Sequence, residues 1–162
     1  MATGLIKSIS DSFTRPADTT AYAANDLIAN STTAGSVVPL TFNVGRGGVR
    51  IVAVRLWKSD ETDVANSAIT LHLFGSSPTV ANGDNGALSH SLSDKLGTIA
   101  VPIMVAATDE AYTNVNAGDA VLPHGIFHYT SGGLIYGLLM ATAAYSPASA
   151  EVFQCKLVYE RT

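Results

Sequence analysis

Apolar positions along this chain repeat mostly with a period of two, and the pattern is strongest in its middle. Residues 48–58, GVRIVAVRLWK, and 68–74, AITLHLF, are rich in the β-branched and aromatic side chains that suit a pleated, half-buried surface. In the second, Ile69, Leu71 and Leu73 share one face while Thr70 and His72 take the other, as in a strand with one face on a core. In the first, Val52, Val54 and Leu56 share a parity, yet Val49, Ile51, Ala53 and Trp57 on the other are also apolar. That double pattern predicts a central strand covered on both faces for much of its length. The two segments are expected to pair with each other across the polar connection 59–67.

The flanking chain repeats the theme. Residues 4–13 alternate loosely, and Pro16 restricts Thr14 and Arg15 to extended conformations, so this end is either an arm or a strand. Residues 22–28 start a short strand, and 37–44 form another in which Pro39 belongs at an edge or a strand start. Residues 79–94 carry turn formers without a period, predicting a long exposed loop or a single helical turn near residues 88–92. Strand character returns at 97–107, the chain reads as loop over 109–119, and 121–129 keeps enough apolar residues to lie against the domain. The apolar run 132–142 contains Gly132, Gly133 and Gly137, which favours strand over helix. At the end, Phe153, Cys155, Leu157 and Tyr159 alternate inward against Gln154 and Lys156. Seven or eight such strands predict an all-β, antiparallel β-sandwich. The expected division is residues 1–20 as an N-terminal arm or edge strand and 21–162 as a single sandwich domain.

Composition narrows the partners. A chain of 162 residues buries roughly 68–70% of its unfolded surface and needs no staple. It is 47% hydrophobic but only 14% charged, against roughly 25% in ordinary soluble domains. Part of so charge-poor a surface is expected to be covered by partners. Nine scattered Lys and Arg and a net charge of −4 argue against nucleic acid. The first residues lack a basic segment followed by an apolar run, and no stretch is long and apolar enough to span a bilayer, so the expectation is a cytoplasmically made chain with no membrane partner. Cys155, the lone cysteine, falls in an inward strand position and reads as a core residue.

Residues 15–28, RPADTTAYAANDLI, resemble the "RPADTTAYAAGD" signature of a group of tailed-bacteriophage virion proteins, many of them small head proteins that decorate or cement the capsid. Asn25 stands where those sequences often carry Gly. The motif spans about a tenth of the chain. The order of the later strands, including VRIV…LWK, LHLF and the VY ending, is similar too. The resemblance implies a jelly-roll-like sandwich, homotrimers, a major capsid protein as partner, location on the virion, and assembly rather than chemistry. On that basis the capsid or oligomer contacts are expected at Leu5, Ile6, Ile9, Phe13, Arg15, Tyr22, Phe127, Tyr129 and Tyr145, with residues 1–12 ordering against the capsid.

No residue pattern rises to a catalytic or cofactor signature, and none is expected. His124 and His128 have the four-residue spacing of a helical metal site, but Pro123 and Gly125 argue against a helix there. The loop 82–86, NGDNG, is rich in oxygen ligands yet lacks the spaced acids and closing Glu of a calcium loop. Asp60, Glu61 and Asp63 fit a solvated connection. Two other functional readings remain: a tail or head-fibre attachment component, and a carbohydrate-binding sandwich using Trp57, Tyr112 or Tyr145 as a stacking platform.

Overall fold

The computed structural model describes residues 5–91 and 94–162, and two antiparallel sheets packed face to face account for it. The strands are β1 (Ile6–Thr14), β2 (Leu27–Ile28), β3 (Leu40–Asn43), β4 (Gly47–Lys58), β5 (Ile69–Phe74), β6 (Lys95–Val101), β7 (Val105–Ala107), β8 (Glu110–Asn116), β9 (Ile126–Thr130), β10 (Leu134–Ala141) and β11 (Val152–Arg161). The first sheet runs β1-β11-β4-β8-β7, with β9 also on β4, and the second runs β2-β10-β5-β6, with β3 also on β10. Two long strands each take two short partners end to end: β4 pairs with β8 and β9, and β10 with β2 and β3. With each such pair counted as one position and the three-residue edge strand β7 set aside, eight positions remain, ordered 1-8-3-6 and 2-7-4-5, the connectivity of a jelly roll.

Between the sheets lies a single large core that includes Leu40, Phe42, Ile51, Leu56, Leu71, Ile99, Ile135, Phe153, Cys155 and Leu157. The C-terminal alternation is as expected, with Cys155 buried. Pro39 falls just ahead of β3, where its missing N–H is not needed.

β4 is central, flanked by β11 on one side and by β8 and β9 on the other. Its double apolar pattern has a different cause from coverage of both faces. Val158 pairs with Ala53 and Tyr159 with Ile51, so Val52 is an extra, bulged residue. The inward set is Val49 and Ile51 before the bulge and Val54 and Leu56 after it, a step of three in place of two. Nor does β4 pair with β5. The connection 59–67 is too long for a tight hairpin, and it carries the chain from one sheet to the other.

The other departures concern the loops. Residues 79–91 do not stand free, for Val80 and Leu88 pack with Phe74, Leu27 and Leu138 over the outer face of the second sheet. Val80 bridges to His90 and Asp26 to Ala87, and residues 88–91 form no helical turn; Leu92, the end of the expected turn, is outside the described residues. Residues 97–107 divide at Pro102 into β6 and β7, which join different sheets. Residues 109–119, expected as loop, contain β8, with Ala111, Thr113 and Val115 buried.

Of the two N-terminal alternatives, residues 6–14 adopt the edge strand, paired with β11 from Ile6↔Glu160 to Thr14↔Val152. Phe13 stacks on Phe153 with ring centroids 5.8 Å apart, and the Asp11 carboxylate accepts the Thr41 N–H at 2.7 Å.

Candidate functional site

While loop 79–91 covers part of the second sheet's outer face, the outer face of the first is open, and its register sets what it presents. One cross-strand row reads Ser12, Gln154, Trp57, Tyr112, Val105. The next reads Ser10, Lys156, Arg55, Asn114. Beyond the bulge a third reads Ile6, Glu160, Arg50, Phe127, with Tyr129 following opposite Gly48. A groove of about 500 Å³ runs over the first two rows, lined by Arg55, Trp57, Glu110, Tyr112, Asn114, Gln154 and Lys156 among others. Trp57 Nε1 donates to the Glu110 carboxylate, which fixes the indole along its wall. The Arg50 guanidinium donates from Nε to the His124 carbonyl at 3.0 Å, pairs with Glu160 at 3.4 Å and lies 5.3 Å from the Phe127 ring centre. Phe127 therefore stands over a fixed cation rather than on a loose loop.

A second constellation is internal. Arg15 donates to Tyr22 Oη at 2.9 Å, to Asp84 at 3.1 Å and to Asp18 at 3.2 Å, while the Tyr22 hydroxyl donates to Asp84 at 2.7 Å. Asp84 also accepts the Ala29 N–H at 2.8 Å. Tyr22 stacks on Tyr145, centroids 5.9 Å apart. Lys58 donates to Tyr145 Oη at 3.0 Å, to Glu151 at 2.9 Å and to the Thr62 carbonyl at 2.6 Å, and the Tyr145 hydroxyl donates to Glu151. Burial pushes the Asp84 and Glu151 carboxyls up despite these bonds, and burial beside a carboxylate raises both tyrosines. Hydrogen bonding to the Thr20 backbone, and then the guanidinium, holds the more exposed Asp18 below the usual range. The cluster joins the end of β1, the loop carrying Asp84, the end of β4 and the chain before β11.

Residues 15–26 thus help to lock the fold of this chain. Arg15 and Tyr22 supply two of the buried side chains of the cluster and Asp18 a more exposed acceptor, and Asn25 has φ 74°, the left-handed region that Gly occupies without strain and Asn better than most residues. Asp26 accepts the Ala23 N–H at 2.6 Å and closes the turn.

The nine residues expected at contacts therefore separate into three groups. Leu5, Ile6, Phe127 and Tyr129 are 62–75% exposed, and the last three share the open face. Ile9 and Phe13 are half-buried against the core. Arg15, Tyr22 and Tyr145 are at most 2% exposed, so their aromatic and cationic groups hold the chain to itself and are not presented to a partner. Burial likewise removes Tyr145 from a sugar platform, whereas Trp57 and Tyr112 are brought directly opposite each other. Sequence reasoning passed over Arg50, Arg55, Glu110 and Lys156. The one carboxylate of loop 82–86, Asp84, is bound to Arg15 and Tyr22. Among the described residues no group of three or more His, Cys, Asp or Glu is placed to hold a metal ion.

No family model matches the chain. No curated protein matches it either. Among solved structures, a chain of the cyanophage Pam1 capsid asymmetric unit aligns with 14% identity and a TM-score of 0.38, covering 100% of this chain and 89% of that one. A chain from a marine algae virus of the order Picornavirales aligns with 8% identity and a TM-score of 0.23, covering 94% of this chain and 67% of that one. Both are distant likenesses.

Proposed function

We propose that this chain is a non-enzymatic virion structural protein, a decoration or cement protein that binds the outer surface of a phage head and reinforces contacts between capsomers. The observation that carries this reading is the open face of the first sheet, where Trp57, Tyr112, Phe127 and Tyr129 lie between cations that the chain itself leaves partly unused. The motif resemblance supports the same assignment. A standard interface takes about 800 Å² from each partner, which is about a tenth of the chain's 7474 Å² surface.

Three copies would make such a contact strong, because linked sites gain roughly 10²–10⁴ in avidity without any new contact. An apolar groove of about 390 Å³ beside Pro102 and Val121 supports self-association, with the exposed Ile103 on the crossing between sheets. Co-sedimentation with heads stripped of this protein, followed by imaging of the redecorated particles, tests the reading. Density on the head surface supports it, and density confined to the tail assigns the chain to tail or fibre attachment. A second reading, carbohydrate binding, is favoured by Trp57 standing opposite Tyr112 in a groove with polar walls. Binding of the isolated protein to a glycan array, with no binding to heads, would select it.

A further inference from the structure

The cations of this chain are unevenly employed. Arg15 and Lys58 are buried in internal ion pairs, Arg50 pairs with Glu160, and Arg161 donates to the carbonyls of Val44 and Arg46. Arg55 and Lys156 are different. Like Lys7, Arg46 and Lys95 they form no ion pair among the described residues, but they lie directly opposite each other on β4 and β11, the two central strands of the open face. Like charges in directly opposed positions destabilise a sheet, and this chain is acidic overall, with a net charge of −4. An isolated domain gains nothing from two unneutralised cations placed there.

The surroundings say what would neutralise them. Arg55 and Lys156 form the shared wall of two grooves, one of about 500 Å³ toward Trp57 and Tyr112 and one of about 250 Å³ toward Ile6 and Val158. The cationic centre therefore has aromatic groups on one side and, alongside Lys7, the apolar Ile6 and Val158 on the other, the arrangement of a docking surface with a charged register point. The nearest acid lining these grooves, Glu110, is engaged by Trp57. Lys7 also lines the smaller groove, but three cations beside Glu110 on a chain of net charge −4 are too few for a phosphate backbone, which calls for a run of them.

We infer that the open face docks an acidic patch of a folded protein, with carboxylates of the partner seated between Arg55 and Lys156. The inference rests on the decoration reading and names the partner surface it requires: an Asp- or Glu-bearing patch on the head shell. Complementary charge of this kind sets register and speeds encounter, and it opposes face-to-face pairing of two copies, which would set cation against cation.

The test uses the full chain and stripped heads. Wild type is compared with Arg55→Glu/Lys156→Glu, with the neutral Arg55→Gln/Lys156→Gln, and with Arg46→Glu as an exposed control in the turn before β4. Thermal melts of the isolated proteins come first, and the neutral double variant is expected to melt no lower than wild type, since it removes a repulsion. Binding is expected to weaken by at least about tenfold for the Glu pair, to fall with added salt for wild type, and to be unchanged for Arg46→Glu. Poly-L-glutamate is expected to compete, and an uncharged oligosaccharide is not. Heads that bind wild type and the Glu pair equally overturn the inference while leaving the decoration reading in place. Heads that bind no wild type overturn both, and competition by the neutral oligosaccharide alone replaces the acidic partner with a glycan.

Discussion

Replacing Lys58 by Met removes the cation from a pair in which both side chains have no exposed surface. The variant leaves Glu151 buried with the Tyr145 hydroxyl as its remaining side-chain donor, and it strips the Thr62 carbonyl of the 2.6 Å bond from Lys58. Breaking a buried pair from one side costs about 3–5 kcal/mol, because the surviving charge loses its counter-ion and cannot reach water. A domain of this kind has only about 5–15 kcal/mol in total. With a urea slope of about 2 kcal/mol per molar, the unfolding midpoint is expected to fall by about 2 M at unchanged slope. Adding Glu151→Gln to Lys58→Met removes the stranded charge while keeping an acceptor for Tyr145, so the double variant is expected to be more stable than the single one. A loss below about 1 kcal/mol for Lys58→Met, the range of exposed ion pairs, would refute the argument, as would a double variant less stable than the single.

Three further outcomes follow from the same structure. His72 has both ring nitrogens buried without a hydrogen-bond partner among the described residues, and burial, then Lys95 and His90, lower its pKa from 6.5 to about 4. Its folded pKa lies below its unfolded one, so stability is fully present above about pH 6.5 and declines as pH falls toward 4; the loss is about 3 kcal/mol by pH 4, and urea unfolding of His72→Leu is expected to lack that component. Deleting residues 2–13 removes most of β1 with the Phe13–Phe153 stack and the Asp11–Thr41 bond, so the melting temperature is expected to fall sharply; an unchanged melting temperature would return the segment to the role of an arm. At Asn25, with φ 74°, Gly is expected to cost a few tenths of a kcal/mol or less, whereas Val costs about 1–2 kcal/mol in a left-handed conformation, measured by the same unfolding curves.

Sequence periodicity found the strands whose inward residues are large or β-branched: β4, β5, β10 and β11. It missed β8 because the inward residues there are Ala111, Thr113 and Val115 and the outward ones include two Asn, a composition that reads as loop. The division of 97–107 was signalled by Pro102, which cannot donate within a ladder, but which sheet each half joins depends on pairing partners distant in sequence. The buried cluster was hidden for a similar reason. An Arg beside Pro, Asp and Thr reads as a solvated turn, and Arg15 is made core-compatible by Asp84, 69 residues away. The motif was legible, but its structural work was not.

The open face was hidden by a single residue. Arg50 and Arg55 differ by an odd number, so strict alternation would put them on opposite faces of β4. Because Val52 is bulged, the phase changes between them and both emerge on the outer side, one beside Glu160 and Phe127, the other beside Lys156 and Asn114. The same shift turns Trp57 outward to meet Tyr112 while Lys58 turns inward to meet Glu151. One inserted residue thus places the exposed half of β4 on the open face and its final lysine in the buried cluster. A sequence pattern that looks uniformly apolar on both parities is the trace of that shift, and it becomes readable only once the register with β11 fixes where the phase changes.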